Sequence, residues 1–287
     1  MSGSATFYDE MHEPSGAVRD GYRDYQGWLS EQDAAFLKRK NRDAETLFRR
    51  IGITFNVYGA HEAEERLIPF DMVPRIITAT EWRRLSRGIE QRVRALNAFL
   101  HDLYHRQEII RAGRVPETLF RDNPAWLPNM VGFTPPGGIY THVVGIDLVR
   151  TGPDEFYVLE DNARTPSGVS YMLENRETMM AMFPELFMRV GVESVSNYPR
   201  RLARSLAACA PAVTRDKPRL AVLTPGIYNA AFFEHAFLAE QMGAELVEGS
   251  DLRVEGGRVA MRTTAGFQPV DVLYRRVDDD FRDPLTF

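Results

Sequence analysis

Residues Gly145 to Asn162 read GIDLVRTGPDEFYVLEDN, two runs rich in β-branched, aliphatic and aromatic residues on either side of Gly152-Pro153-Asp154-Glu155. Proline and glycine form turns, so the stretch predicts a β-hairpin centred on that tetrapeptide. Pairing the flanks about its centre sets Asp147 opposite Glu160 and Val149 opposite Val158. Asn162 lies two residues past Glu160 and returns to the same face, because side chains alternate along a strand. The opposite face collects Ile146, Leu148, Tyr157 and Leu159, which suits a core. Side chains directly opposed across a strand pair have Cβ atoms about 4.5–5.5 Å apart, and like charges there repel. A cation between Asp147 and Glu160 removes that cost, so the hairpin reads as a metal site. The plainer alternative is a surface hairpin whose Asp, Glu and Asn are simply solvated.

Immediately downstream, Ala163-Arg164-Thr165-Pro166-Ser167-Gly168-Val169-Ser170 forms a loop that opens onto a predicted helix. Backbone amides at such a helix start suit oxyanions, and Ser167 and Ser170 add hydroxyl donors. Asp147, Glu160 and Asn162 offer only oxygen ligands, a donor set that selects a hard cation such as Mg²⁺ over Zn²⁺. Mg²⁺ held by few carboxylates completes its shell with water and phosphate oxygens. Together these residues predict a nucleoside triphosphate bound through two Mg²⁺ ions, with Arg164 offsetting negative charge that develops on the phosphate.

The 287-residue length allows two domains and a sizeable core. A hydrophobic content of 44%, 26% charged residues and a net charge of -5 give no basic field for nucleic acid. The single cysteine, Cys209, excludes a disulfide framework, fits a reducing cytosol, and among Leu206, Ala207, Ala208 and Ala210 is expected to be buried and inert. The six histidines show no HExxH spacing. With no apolar run near 18 residues and no signal-like N-terminus, the expectation is a cytoplasmic protein without a membrane partner.

The first 25 or so residues lack a period and read as an irregular arm that orders against the body or a partner. A helix follows, with Ser30 expected as its cap, Glu31 and Asp33 in its first turn, Ala35, Phe36, Leu47 and Phe48 on its apolar side, and Gly52 at its end. ITFNVY, ending at Tyr58, alternates as a strand does. From Thr80 a long helix is predicted by Trp82, Leu85, Ile89, Val93, Leu96, Phe99, Leu100 and Leu103, spaced by threes and fours. Its other side carries Arg83, Arg84, Arg87, Arg92 and Arg94, either a solvated face or the lining of an anionic substrate site. Arg66 and Arg75 flank LIPFDMVP, a loop or edge segment, where they are candidate carboxylate or phosphate clamps.

Val169 to Phe183 reads as a helix that Pro184 helps end, and a second helix runs near Pro199 to Cys209. Pro211 to Pro218 looks like a linker. Beyond it come a strand at 219–223, a helix from Asn229 to Met242 closed by Gly243, a strand AELVE, a two-stranded excursion turning at Gly256-Gly257, and a strand at 270–274. This βαβ-like order predicts a small Rossmann-like domain, and the absence of GxGxxG after its first strand argues against a dinucleotide. The fold class is α/β, or α+β with a Rossmann-like part.

Glu160-Asp161-Asn162-Ala163-Arg164 resembles the E-x-N-x-R element of ATP-grasp enzymes, with Asp147 in the place of the Asp on the neighbouring strand. The wider text, ITFNVYG, RLIPFDMVPRII, ALNAFLHDLY, GIDLVR, VLEDNARTPSGVSYMLENR, LTPGIYNAAFFEHAFLA and VDVLYRRVDDDF, is similar over nearly all of the chain to the circularly permuted ATP-grasp type 2 family, relatives of glutathionylspermidine synthetase-like ligases. The resemblance implies an ATP-dependent ligase that joins a small-molecule or peptide carboxylate to an amine through an acyl-phosphate. It implies that Asp147, Glu160 and Asn162 bind two Mg²⁺ ions and that Arg164 contacts the transferring phosphoryl group, making Glu160 and Arg164 the catalytic pair. Ser167, Gly168 and Ser170 would contact phosphate or acyl substrate. Arg66, Arg75, Asn229, Glu234, His235, Arg275 and Arg276 are substrate-site candidates, His235 equally a helix-packing residue.

The implied order is an arm at 1–25, a metal-binding half at 26–210 and a Rossmann-like pre-ATP-grasp domain at 218–287. In the family a lysine-bearing, ATP-cradling half comes last. The three lysines here, Lys38, Lys40 and Lys217, fall in a predicted surface helix and a linker. The expectation is therefore a piece of a longer ligase with little ATP hydrolysis of its own. The alternative is a non-catalytic metal- or nucleotide-binding scaffold or regulatory module.

Overall fold

The computed structural model describes residues 7–52, 54–58, 63–67, 70–214 and 217–277. The first half carries helices α1 (Arg23–Ser30) and α2 (Ala34–Ile51), strands β1 (Thr54–Tyr58) and β2 (Ala63–Leu67), and helices α3 (Ala79–Tyr104), α4 (Glu108–Arg111) and α5 (Thr118–Arg121). The hairpin β3 (Gly145–Gly152) and β4 (Glu155–Asn162) follows, then α6 (Val169–Met182), α7 (Pro184–Val190) and α8 (Tyr198–Ala207). The chain continues with β5 (Leu220–Leu223), α9 (Phe232–Met242), β6 (Glu245–Val247), β7 (Leu252–Glu255), β8 (Arg258–Thr263), β9 (Gly266–Pro269) and β10 (Val272–Arg275). The content is α/β, and these elements fall into two compact units, one of residues 1–9 and 77–166, the other of 10–76 and 167–287. Among the described residues no helix is long and apolar enough to cross a membrane.

In the first unit α3 begins at a reciprocal cap: Thr78 Oγ1 accepts from Glu81 N at 3.3 Å and Glu81 Oε2 accepts from Thr78 N at 2.8 Å. Its far end buries Leu103 and Tyr104, and the Tyr104 ring stacks on Trp126 at 4.4 Å between centroids. Along its middle, Leu85 and Ile89 face Ile146, Leu148, Phe156 and Val158 of the hairpin across a cavity of about 440 Å³. Arg150 lies on the same side of the hairpin. Its guanidinium bonds Glu81 Oε1 at 2.5 Å and stands about 5 Å from the rings of Tyr8 and Phe156. Burial opposes ionisation of Glu81, but the hydrogen bonds from Thr78 and Arg150 hold its carboxyl below the usual range.

The hairpin itself departs from simple pairing. Asp147 pairs with Glu160 as expected, but the next pair is Leu148 with Val158, so Leu159 is an extra residue and Val149 faces Tyr157, not Val158. A bulge reverses the in/out alternation beyond it. For that reason Phe156 and Val158 join Ile146 and Leu148 toward α3, while Tyr157 and Leu159, expected in the core, are 61% and 72% exposed.

The second unit is built on Tyr22, Tyr25, Trp28, Phe48, Phe70, Phe183 and Leu186, with Trp28 edge-on to Phe183 at 5.1 Å. Large aromatic side chains each remove roughly 150–250 Å² from water, so this cluster dominates the unit's stability. Among the described residues the N-terminal segment is irregular from Phe7 to Arg19, and beyond it Tyr22 and Tyr25 belong to this core. Asp33, not Ser30, caps α2, its Oδ1 accepting from Phe36 N at 2.6 Å, while Ser30 ends α1. Pro184 does more than end α6, since it opens α7, where its missing N–H costs nothing. Strands β1 and β2 pair antiparallel, and β2 ends at Leu67, where the segment LIPFDMVP begins.

The predicted Rossmann-like part is present as a parallel sheet in the order β10-β5-β6, with α9 connecting β5 to β6. The excursion at Gly256-Gly257 is the β7–β8 hairpin, extended by a third strand β9. Ala221, Val247, Met261 and Val270 form a core there. Cys209 is exposed, not buried, because it follows the end of α8 beyond that helix's packed face. The contact-defined units do not coincide with 26–210 and 218–287, since α6 packs on both α2 and α9.

Candidate functional site

At the open end of the hairpin the pairs are Gly145 with Asn162, Ile146 with Asp161 and Asp147 with Glu160. Alternation sorts the Glu-Asp-Asn triplet. Asp147, Glu160 and Asn162 are exposed on one face, and Asn162 Nδ2 donates to Glu160 Oε1 at 3.0 Å. Asp161 turns to the other face, where Arg92 of α3 donates Nε to Oδ1 at 2.7 Å and Nη2 to Oδ2 at 2.6 Å. Those hydrogen bonds hold the Asp161 carboxyl below the usual carboxylate range. Arg84 likewise reaches Asp154 in the turn at 2.5 Å. Part of the arginine side of α3 therefore pins the hairpin, which neither the solvated nor the substrate-lining reading foresaw.

A close approach explains Gly145. A Cβ there would lie 2.9 Å from Pro166 Cβ and 3.5 Å from Asn162 Cβ, so glycine lets the loop after β4 fold over the strand end. Arg164 is exposed in that loop, two residues past Asn162.

The start of α6, in the second unit, is already engaged by a carboxylate of the chain itself. Glu234 of α9 is fully buried; its Oε2 accepts from Gly168 N at 2.7 Å, Ser170 N at 3.1 Å and Ser170 Oγ at 3.0 Å. Its Oε1 accepts from Ser167 Oγ at 2.9 Å and Arg276 Nη2 at 2.7 Å. Gly168 has φ +107, a conformation that L side chains rarely adopt, and this presents its N–H to the carboxylate. The donors of Ser167, Gly168 and Ser170, expected to meet phosphate or acyl substrate, are given to Glu234 in this structure. Any phosphate at these same atoms would compete with Glu234.

Beside Glu234, His235 is 2% exposed, with Nδ1 2.9 Å from Thr224 Oγ1. Burial, then the Arg276 charge, push its pKa down to about 4, so it is neutral at pH 7. Asn229 Oδ1 accepts from Ala231 N, a local turn ahead of α9. Arg75 is a carboxylate clamp, but for Glu10: Nε donates to Oε2 at 2.8 Å and Nη2 to Oε1 at 2.5 Å. Arg275 is exposed, and the Arg66 side chain and residues 278–287 lie outside the described residues. Asp161, Glu10 and Gly145 went unnoticed in the sequence. Only Asp161 carried a local signal, being out of phase with its two neighbours.

Among the described residues no group of three or more His, Cys, Asp and Glu gathers in a way that could hold a metal ion. The hairpin's donors are two opposed carboxylates and an amide whose NH₂ is used on Glu160, leaving its oxygen for a cation. An exposed all-oxygen set of this kind fits a hard, partly hydrated ion.

A family model described as circularly permuted ATP-grasp type 2 matches residues 74–287. An uncharacterised protein of Synechocystis is 44% identical over 281 residues, 98% of this chain and 58% of that protein. An uncharacterised protein of Mycobacterium tuberculosis is 48% identical over 283 residues, 99% of this chain and 50% of that one. A Frankia casuarinae protein provisionally named a glutamate–cysteine ligase is 42% identical over 278 residues, 96% of this chain and 32% of that one. The chain thus spans 32% to 58% of the length of these relatives. In fold it is similar to a glutathione synthetase-like effector from Globodera pallida in its apo form, with a TM-score of 0.50 and 13% identity over 88% of this chain and 60% of that one.

Proposed function

Because this chain belongs to the circularly permuted ATP-grasp type 2 family, we propose that it carries the metal- and phosphate-binding strand pair of an ATP-dependent carboxylate–amine ligase. The observation that carries the reading is the exposed opposition of Asp147 and Glu160 with Asn162 in phase beside them. Two like charges so placed cost free energy that a cation between them offsets. Asp147, Glu160 and the Asn162 amide oxygen would hold two Mg²⁺ ions. Bound there, Mg²⁺ supplies charge neutralisation and alignment for the ATP phosphates.

In the reaction a carboxylate oxygen of the substrate attacks the terminal phosphorus of ATP and ADP departs. An amine nitrogen then attacks the acyl carbon, inorganic phosphate leaves and the amine loses a proton. Arg164, exposed after the strand pair, offsets charge on the transferring phosphoryl group, and Glu160 keeps its position through the Asn162 hydrogen bond. The name of the Frankia relative agrees with amino-acid substrates.

The test, in an intact full-length version of the ligase, is ADP release with Mg²⁺ and a panel of amino acids, polyamines and small peptides, with mass spectrometry of the product. Glu160→Gln should abolish metal-dependent turnover and leave the melting temperature nearly unchanged, since exposed substitutions usually alter stability by about 0.5 kcal/mol or less. Turnover that survives the substitution rejects the site. Nucleotide binding that Glu160→Gln weakens, without turnover under any acceptor, favours the scaffold or regulatory reading.

A further inference from the structure

Three ion pairs within the first unit tie the hairpin to α3. Glu81 holds Arg150 and Arg84 holds Asp154 on the turn side of the Leu159 bulge, whereas Arg92 holds Asp161 beyond it. Among the described residues β3 and β4 form a sheet of two strands, so no third strand settles how they pair. Between the turn and the open end the pairing shifts twice, once between Arg150 and Gly152 and back again between Leu148 and Asp147.

The second shift creates the candidate metal face. Without it the register of Leu148 with Val158 would continue as Asp147 with Leu159, Ile146 with Glu160 and Gly145 with Asp161. Glu160 would then turn toward α3 and Asp161 to the front, because a slip of one residue moves each side chain to the other face. Arg92 distinguishes the two registers by place. Each Asp161 carboxylate oxygen accepts one hydrogen bond from it, at 2.7 and 2.6 Å, and the Asp161 side chain is only 16% exposed. A forked contact of this kind fixes both the position and the plane of the carboxylate. With Asp161 turned toward α3, strand alternation puts Glu160 and Asn162 in front.

We propose that Arg92 is a positioning residue: by holding Asp161 toward α3 it selects the register with Leu159 bulged, and so keeps Glu160 and Asn162 on the face of Asp147. The proposal rests on the ligase reading for what that face binds, whereas the register is a property of the ligand-free hairpin.

The experiment follows nuclear Overhauser contacts from Asp147 to Glu160, and from Asp147 to Leu159, in the ligand-free 287-residue chain. Arg92→Ala should lose the first set and gain the second. Leu85→Ala, which trims the apolar wall of α3 facing the hairpin without touching Asp161, should lower the melting temperature and keep the parent contacts. Parent contacts retained in Arg92→Ala, or the same change in both variants, would overturn the proposal. Deleting Leu159 removes the slipped alternative, so Arg92→Ala without Leu159 should regain the contacts between Asp147 and Glu160. A strand end that stays lost would mean that Arg92 merely ties the hairpin down, and the proposal falls.

The Mg²⁺–ATP dissociation constant of an intact full-length version links the register to the site. Arg92→Ala should weaken binding severalfold when Leu159 is present and little when it is deleted; equal weakening in both backgrounds would overturn the route through the register. A full-length parent that binds no Mg²⁺–ATP would defeat the ligase reading, and the Overhauser contacts would still decide whether Arg92 sets the register.

Discussion

Arg92 grips Asp161 through two parallel hydrogen bonds of 2.7 and 2.6 Å, tying the middle of α3 to the one acidic residue of the Glu-Asp-Asn triplet that points away from the other two. Planar guanidinium and carboxylate groups meet in this way with both geometry and charge satisfied. The strand is thereby held from behind while Glu160 and Asn162 remain open in front. Glu160 and Asn162 thus keep their orientation without either being consumed in holding the strand.

The depressed pKa of Asp161 has a definite sign for stability. The unfolded chain takes up a proton near the ordinary carboxylate value while the folded chain still refuses it, so the pair's contribution is complete above about pH 4 and is lost as the pH falls further. Asp161→Asn should lower the melting temperature at pH 7 and flatten its decline below about pH 4. Parallel curves for parent and variant below that pH would contradict the assignment.

Removing Leu159 should be unusually well tolerated for a deletion inside a strand. Its removal leaves Asp147 opposite Glu160 and Leu148 opposite Val158, with both faces unchanged, because Leu159 is the bulged residue. We expect a melting temperature within a few degrees of the parent. Deleting Asp161 instead should shift Asn162 out of phase and unfold the strand end. Comparable damage from both deletions would show that the register is different.

Neutral, buried His235 makes a further prediction about pH. Its folded pKa of about 4 lies below the ordinary 6.5, so below pH 6.5 the unfolded state binds the proton first and stability falls as the pH drops to about 4. The shift corresponds to about 3 kcal/mol, fully present above pH 6.5. His235→Gln should reduce the slope of unfolding free energy against pH in that window, measured by urea titration. An unchanged slope would place the acid sensitivity elsewhere.

Thr78→Ala should destabilise the first unit by about 1 kcal/mol, the usual cost of a lost N-cap. The reciprocal bond from Thr78 N to Glu81 survives the change, so exchange should rise at Glu81 N, where the lost bond acted, more than at Thr78 N. An equal rise at both amides would indicate that the whole helix start frays.

Much of this protein was legible residue by residue. The strand period placed Asp147, Glu160 and Asn162 together, the spacing of Leu85 through Leu103 marked α3, and the βαβ order announced the parallel sheet. Those features arise from interactions within a few residues of each other, and the alternation of a strand or the turn of a helix writes them directly into the text. The misreadings have another origin. Val149 was paired one residue off because a bulge is chosen by the packing of Phe156 and Val158 toward α3, not by the turn.

The sequence by itself determined which residues could form an oxygen-only metal site and which class of fold would present them. Only the tertiary structure decided that Asp161 belongs to Arg92, 69 residues away, and that the donors at the start of α6 belong to Glu234, 64 residues from Ser170. No local period connects such partners. The Glu234 partners are selected by burial, where a charge without its counterpart is too costly to keep, and Arg92 by the bidentate fit of its guanidinium to Asp161, and both selections exist only once the chain has folded.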